Sequence, residues 1–488
     1  MRRKVPNNHW MRQIFATFGN LKKRKRKRMA QNNDPHTLGT ESIGKLLLQY
    51  SIPAIIGMTV TSIYHIIDSI FIGHGVGPMA ISGLAITFPF MNLVMAFCTL
   101  VAGGGAALSS ISLGRKDMTG ATHILGNTLM LCIINAVTFG SMAYIFLDDI
   151  LLFFGASEIT LPYARDFMKV ILIGTPISYI MIGLNNVMRA TGYPKKAMLT
   201  SMVTVLGNII LAPIFIFYFK WGIQGAATAT VIAQSIGMVW VLKHFTCSQS
   251  YVHLTRNFWK VDLGIVGRIF SIGMAPFLMN LCTCAIVIVI NVSLQKHGGD
   301  MAIGAYGIIN RLMTVFVMTV MGLTMGLQPI IGYNFGAKNM KRVKQALRLG
   351  IISGVSITTT GFLICELFPH AVSAMFTNSG ELIGMASEGI RITIMLFPFV
   401  GCQIVISNFF QSIGKAKVSI FLSLSRQLVY LLPFLLILPR QYGVTGVWAS
   451  MPASDFFAFF TAVICLIIYF KKLSHSDHLK GFTEQTFH

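Results

Sequence analysis

The sequence predicts an all-α membrane protein: twelve transmembrane helices in two six-helix bundles, related by a pseudo-twofold axis along the membrane normal. Three observations lead there. Only 11% of the 488 residues are charged and 54% are hydrophobic, with a mean hydropathy of +0.68, whereas soluble domains carry about 25% charged residues. Apolar runs of the length a bilayer demands, about 20 residues, recur along nearly the whole chain after residue 45. The two halves of the chain also repeat one another at a spacing near 222 residues.

Residues 1–45 read as a basic cytoplasmic tail. They hold Arg2-Arg3-Lys4 and the run Lys22-Lys23-Arg24-Lys25-Arg26-Lys27-Arg28. No apolar core of about 7–15 residues follows the charges before Met29, so the segment is not a secretory signal. The basic run is only a weak match to a nuclear-localisation patch, and contact with anionic lipid is the simpler reading. Met29 is an alternative start of translation.

The spans are expected at roughly 46–73, 80–108, 123–147, 165–189, 197–219, 223–245, 265–294, 303–333, 346–368, 388–412, 418–438 and 443–470. Loop charges test that count. With the N-terminus inside, the even-numbered loops carry Arg115/Lys116, Arg189/Lys195/Lys196, Lys243/Arg256/Lys260, Lys338/Lys341/Arg342/Lys344/Arg348 and Lys415/Lys417, and Lys471 and Lys472 follow the last span. The opposite loops hold acids instead: Asp148, Asp149, Glu158, Asp300 and Glu381. This is the positive-inside pattern, with both termini cytoplasmic. The organisation is then tail 1–45, a first bundle 46–245, a cytoplasmic linker 246–264, a second bundle 265–470 and a C-terminal tail 471–488. The same placement argues against nucleic acid as the partner of a chain with net charge +23: twelve of its 39 Lys and Arg precede Leu46 and most others sit in short loops.

The repeat is visible in four places. Leu113-Gly114-Arg115-Lys116-Asp117 matches Phe335-Gly336-Ala337-Lys338-Asn339 at an offset of 222, as do Pro176 with Pro398 and Gly192 with Gly414. Gly222-Ile223-Gln224-Gly225 matches Gly443-Val444-Thr445-Gly446 at 221. Six spans per repeat give both halves the same orientation, with a cavity between them. Prolines inside most spans, Pro53 and Pro176 among them, are tolerated where neighbours satisfy the released carbonyls.

One acid stands out. Asp68 lies within the first apolar run, with His65 three residues earlier on the same helical face and Thr61 and Ser62 a further turn back. At a helix centre an acid costs roughly 2.5–3.5 kcal/mol and usually serves ions, protons or substrate. Its repeat partner at an offset of 223 is Asn291, so the acid belongs to the first half alone. The other intramembrane charges are Arg311, Arg391, Arg426 and Asp455, for which interior pairing or snorkelling is the default. The eight cysteines show no metal-ligand spacing and read as packing residues.

Several segments in order resemble multidrug and toxic compound extrusion (MATE) transporters, of the DinF-like and MepA-like bacterial branch. They are Tyr64-x-x-x-Asp68 running into Phe71-Ile72-Gly73, Leu113-Gly114 with its basic followers, Met188-Arg189-Ala190-Thr191-Gly192, Gly222-x-x-Gly225-Ala226-Ala227, and Arg426-Gln427 leading to Pro433. The resemblance covers residues 43–472. It implies a secondary-active antiporter of the bacterial inner membrane, exporting amphipathic, often cationic, compounds against a flow of protons or sodium ions by alternating access. It implies no cofactor and no catalytic residue, a monomer in the lipid bilayer, and small molecules as partners.

The resemblance places the coupling site on Asp68 and Asn208, and the polar stripe before Asp68 adds His65 to it. The family pattern Asn-x-x-Leu-Asp-Pro reads here Asn208-Ile209-Ile210-Leu211-Ala212-Pro213, so Asn208 is kept and the second acid is Ala212. His65 stands where many relatives have Asn, and no acid lies near Pro276 or Asn280. One carboxylate is a thin anionic contribution to a sodium site, whereas an acid beside an imidazole suits proton exchange. Sodium stays open at Asp68 and Asn208, with Asn186 and Thr230 as further oxygens; Arg426 and Asp455 are further candidate contacts. The competing readings are a lipid-linked saccharide or lipid flippase of the same superfamily and, more remotely, an intramembrane enzyme. A flippase would call for more cations in the first half. No His-Glu-x-x-His or Gly-x-Ser-x-Gly motif occurs for an enzyme.

Overall fold

The computed structural model describes residues 37–485 apart from 77, 155, 157, 248–249, 256–260 and 377–378. The basic run at 22–28 and the side chain of His65 lie outside the described residues. Among them every regular element is helical.

The first half runs α1 (Ile43–Gly75), α2 (Pro78–Gly114), α3 (Met118–Ile145), α4 (Leu161–Ala190), α5 (Pro194–Tyr218) and α6 (Gly222–Thr246). The second runs α7 (Leu263–Gly299), α8 (Met301–Gly336), α9 (Met340–Leu367) and α10, a pair of helices Gly380–Ile394 and Phe397–Ser412 bent by 51°. The last apolar stretch, Ala416–Leu473, is divided at Gly443, where φ is 57° and ψ is −134°. That break yields α11 (416–442) and α12 (444–473), and with α10 as one bent span the described residues give twelve. The helices outrun their apolar runs at the ends rich in Lys and Arg. α2, for example, continues to Gly114, and Asp117 then caps α3, accepting from the Gly120 N–H at 2.7 Å.

The repeat reaches the backbone. Lys116 and Lys338 both take positive φ (61° and 57°), as do Gly192 and Gly414 (105° and 74°) and Gly222 and Gly443 (56° and 57°). Asn339 caps α9 through the Arg342 N–H as Asp117 caps α3. The short helices Leu147–Phe153 and Pro369–Ala374, which the hydropathy pattern does not distinguish from loops, also correspond at an offset of 222.

Packing differs between the two ends of the molecule. One apolar cluster joins Leu46, Leu125, Val187 and Phe245 of the first half to Leu327, Ile331 and Phe409 of the second at the basic end, and runs on inside the second half to Ala305 and Trp448. Toward the other end the halves pack separately. Ile72, Phe90, Phe139, Tyr179 and Ile216 belong to one cluster, which takes in the second half only through the start of α7 around Ile269, and Ile286, Ile290, Tyr306, Leu435 and Val447 form another. Close backbone approach makes the basic-end contact. Gly104 of α2 faces the Ile269 carbonyl of α7, and Gly273 of α7 faces the Leu100 carbonyl of α2; a Cβ on either glycine would run into that carbonyl. Ser51 of α1 donates to the Leu323 carbonyl of α8 at 3.2 Å. The two bundles thus meet tightly at the basic end and part toward the other.

Candidate coupling site

Helices α1 and α5 run side by side in the same direction, Gly57 facing Ser201 and Gly75 facing Ile216 and Phe217. Asp68 is therefore level with the turn Asn208–Ala212 of α5. Asp68 is 7% exposed, Asn208 3% and Thr230 8%. Asn208 Nδ2 donates to Thr230 Oγ1 at 2.9 Å, and the Thr230 hydroxyl donates to the Ala226 carbonyl at 3.1 Å. α5 and α6 are thereby tied at the depth of the acid. Just beyond this turn Pro213 removes a helix donor, and α5 widens into a π-helical turn, Ile214–Tyr218. Such π turns recur at functional sites.

The Asp68 Oδ1 atom is buried and has no hydrogen-bond partner among the described residues. A buried carboxylate oxygen with no donor is expensive for the anion and much cheaper for the neutral acid. The position therefore suits a group that takes up and gives off a cation. Ala212, fully buried at the place of the family's second acid, offers that cation no further oxygen.

The weaker candidates separate into two groups. Asn186 stands one turn from the basic end of α4 and accepts from Arg189 Nη1 at 3.2 Å. Asp68 is two turns from the opposite end of α1, so the fold does not bring Asn186 to the acid. Arg426 and Asp455 meet each other: Nε donates to Oδ1 at 2.8 Å between α11 and α12. Asp455 is 3% exposed, and among the described residues it and Asp68 are the buried carboxylates. The difference is that Asp455 has its counterion. Arg426 lies in a second π-helical stretch, Ser425–Leu431, whose Gln427 donates to Thr283 of α7 at 2.9 Å.

Two features escape a reading of the sequence. Ser178 of α4 donates to Gln234 of α6, and Gln234 is the repeat partner of Asp455 at an offset of 221; that offset was the available signal. Asn185 is buried with its Oδ1 unpartnered among the described residues, its amide reaching Ser201 at 3.5 Å. Nothing in its local sequence sets it apart from Asn186.

The Arg426–Asp455 pair carries a stability prediction. Breaking a buried pair costs about 3–5 kcal/mol. Because Arg426 is 27% exposed, the loss here is reduced by solvent screening to about 1–3 kcal/mol. Arg426→Gln is expected to lower the thermal midpoint in detergent, and the double variant Arg426→Met/Asp455→Leu to recover most of it. An unchanged midpoint for Arg426→Gln would show that the pair carries no stability.

Twelve helices in two repeated bundles, with a buried acid whose Oδ1 is unpartnered among the described residues, are the architecture of a multi-pass membrane transporter. A family profile described as MatE matches residues 53–214 and again 268–436, once in each half. The chain belongs to the MATE family. It is 27% identical over 424 residues to the multidrug export protein MepA of Staphylococcus haemolyticus, covering 87% of this chain and 93% of that protein. It is 28% identical to the MepA of a Staphylococcus aureus strain, NCTC 8325, over 431 residues, with 87% and 94% covered. Among solved structures, a complex of the MATE multidrug transporter DinF-BH is 34% identical, with a TM-score of 0.81 and 88% and 96% covered. The outward-facing conformation of a MATE family transporter of the MOP superfamily superposes with a TM-score of 0.84 at 22% identity, over 92% of this chain and 98% of that one, a likeness of fold.

Proposed function

We propose that this chain is a multidrug efflux antiporter of the bacterial inner membrane, exporting amphipathic, often cationic, compounds in exchange for protons. The observation that carries this reading is Asp68: a buried acid in α1, unpartnered at Oδ1 among the described residues and level with Asn208. The basic loops face the cytoplasm, both termini lie there, and the chain works as a monomer. Proton entry from outside neutralises Asp68 and lets α1 repack in apolar surroundings, where the anion would cost roughly 2.5–3.5 kcal/mol. Pro53, inside α1, is the place where that helix can bend. A substrate cation and the proton then compete for one carboxylate, so loading one releases the other. The names of the MepA relatives and of the DinF-BH structure support multidrug export as the task. The lone carboxylate, with Ala212 beside Asn208, supports the proton over sodium.

Purified protein in liposomes, with pH and sodium gradients imposed separately, tests this with a fluorescent amphipathic cation. The pH gradient alone is expected to drive dye movement, and the sodium gradient alone to leave it at background. Movement under sodium alone would overturn the proton assignment, and no movement under either would overturn antiport.

A further inference from the structure

At the basic end a cavity of about 800 Å³ opens between the two halves, lined by α2, the start of α3, the start of α7 and the turn after α10. Its walls are apolar through Leu108, Ile111, Ile265 and Ile272, and its rim carries Arg115 of α2 and Arg268 of α7. Both arginines are exposed. Neither side chain has an ion pair or hydrogen bond among the described residues, where the bridges are Lys45–Glu41, Arg165–Asp148, Arg391–Glu366 and Arg426–Asp455. The nearby carboxylates are already engaged. Asp117 accepts from Gly120 N–H, and Asp262 accepts from Gly264 and Ile265 N–H.

The repeat supplies an independent observation. The equivalent cleft of the second half is bounded by Tyr333, Asn334 and Arg342, the partners of Ile111, Ser112 and Gly120 at an offset of 222. That cleft is filled by the chain itself. Leu38 is fully buried there, and its carbonyl accepts from Asn334 Nδ2 at 2.9 Å and from Arg342 Nη2 at 3.1 Å; Arg342 also donates to the Glu41 carbonyl. In the first half the counterpart of Leu38 at that offset, residue 260, lies outside the described residues, and the residues that follow it are held at the surface. Asp262 N–H is held by Asn127 Oδ1 at 2.9 Å, Val261 is 40% exposed and Leu263 is 82% exposed. One of two related clefts is filled by the segment around Leu38, and the other carries two guanidinium groups without a partner among the described residues.

We propose that this first-half cleft binds an anionic phospholipid, its phosphate between Arg115 and Arg268 and its acyl chains along Leu108, Ile111, Ile265 and Ile272. Guanidinium groups hold phosphate by charge-assisted, often bidentate, hydrogen bonds. Basic pockets between spanning helices on the cytoplasmic side are the usual place for such headgroups. Because Arg115 belongs to α2 and Arg268 to α7, the lipid ties one half to the other where they already meet. The inference does not depend on which ion drives transport.

Titration of the detergent-purified full chain with dioctanoyl phosphatidylglycerol tests it, with dioctanoyl phosphatidylcholine and inorganic phosphate as controls. The expected result is saturable binding of phosphatidylglycerol, with phosphatidylcholine and inorganic phosphate each weaker by about tenfold or more. Arg115→Gln and Arg268→Gln should each weaken phosphatidylglycerol binding by about tenfold, the weight of one charged hydrogen-bonding contact. Lys344→Gln/Arg348→Gln, in a separate 250 Å³ groove against Phe470, should not. Phosphatidylcholine binding as tightly as phosphatidylglycerol overturns the proposal on the wild-type protein alone, whatever the variants do. Equal binding of inorganic phosphate makes this a free-anion site and overturns the lipid assignment. Unchanged affinity in both Arg variants would place the lipid elsewhere.

Discussion

Asp68→Asn is expected to reduce gradient-driven efflux to background while the protein stays folded and still binds substrate in part. The substitution keeps the shape and hydrogen-bonding capacity of the side chain but fixes it neutral, as if permanently protonated. In the folded molecule Asp68 is buried and has an oxygen without a donor among the described residues, so the neutral amide fits without the desolvation penalty of an anion. Stability should therefore hold or rise slightly, and only coupling should fail. Efflux from liposomes, set beside thermal stability and dye binding, checks all three. Ala212→Asp is the companion experiment: it restores a second acid one turn beyond Asn208, next to Asp68 in level, and is expected to add sodium dependence. Intact pH-driven efflux in Asp68→Asn would mean that the acid is structural.

The second large effect is expected from Gly104→Ala and Gly273→Ala. Each glycine faces a carbonyl of the opposite half, Ile269 and Leu100 respectively, closer than any Cβ could stand. Overpacking of this kind costs about 1–3 kcal/mol, occasionally more. In a two-state equilibrium that is a shift of about 5- to 150-fold. Because the penalty falls on the state whose basic end is closed, and not on either bundle alone, the molecule should spend more time open at that end and transport should drop accordingly. Spin labels at Lys195→Cys and Lys417→Cys, repeat-related positions at the basic end, report the change in a cysteine-depleted background. A longer label-to-label distance in both glycine variants is expected. An unaltered distance distribution with normal efflux would show that the α2–α7 contact is not the closure.

Much of this architecture was legible in the sequence because a bilayer leaves few options. Apolar runs long enough to span it must be helices, and the alternation of Lys and Arg with Asp and Glu in the loops fixes their count. The offset of 222 located the turn pairs that the backbone confirms, Lys116 with Lys338 and Gly192 with Gly414. What escaped is what hydropathy does not encode. The short helices Leu147–Phe153 and Pro369–Ala374 are too brief for a periodic signal, and a π turn such as Ser425–Leu431 has the composition of any apolar helix. Arg426 and Asp455 each stood out as intramembrane charges, but their pairing across 29 residues depends on how α11 turns into α12 at Gly443. Asp68 was conspicuous as a lone acid. Its level with Asn208 required the packing of α1 on α5, which depends on Gly57 and Gly75 meeting Ser201 and Ile216. Asn186 shows the reverse: an amide of the right type on the right helix, placed near the wrong end of it.

The central claim is that Asp68 carries the proton that substrate displaces, and substrate-evoked proton movement tests it most directly. Wild-type liposomes with a pH-sensitive dye inside, and no gradient imposed at the start, should show an internal pH change when an amphipathic cation is added outside. The change should scale with substrate and saturate. Asp68→Asn liposomes, at equal protein and with substrate binding verified, should show none. A proton signal in Asp68→Asn equal to wild type would contradict the account and move the coupling site away from α1.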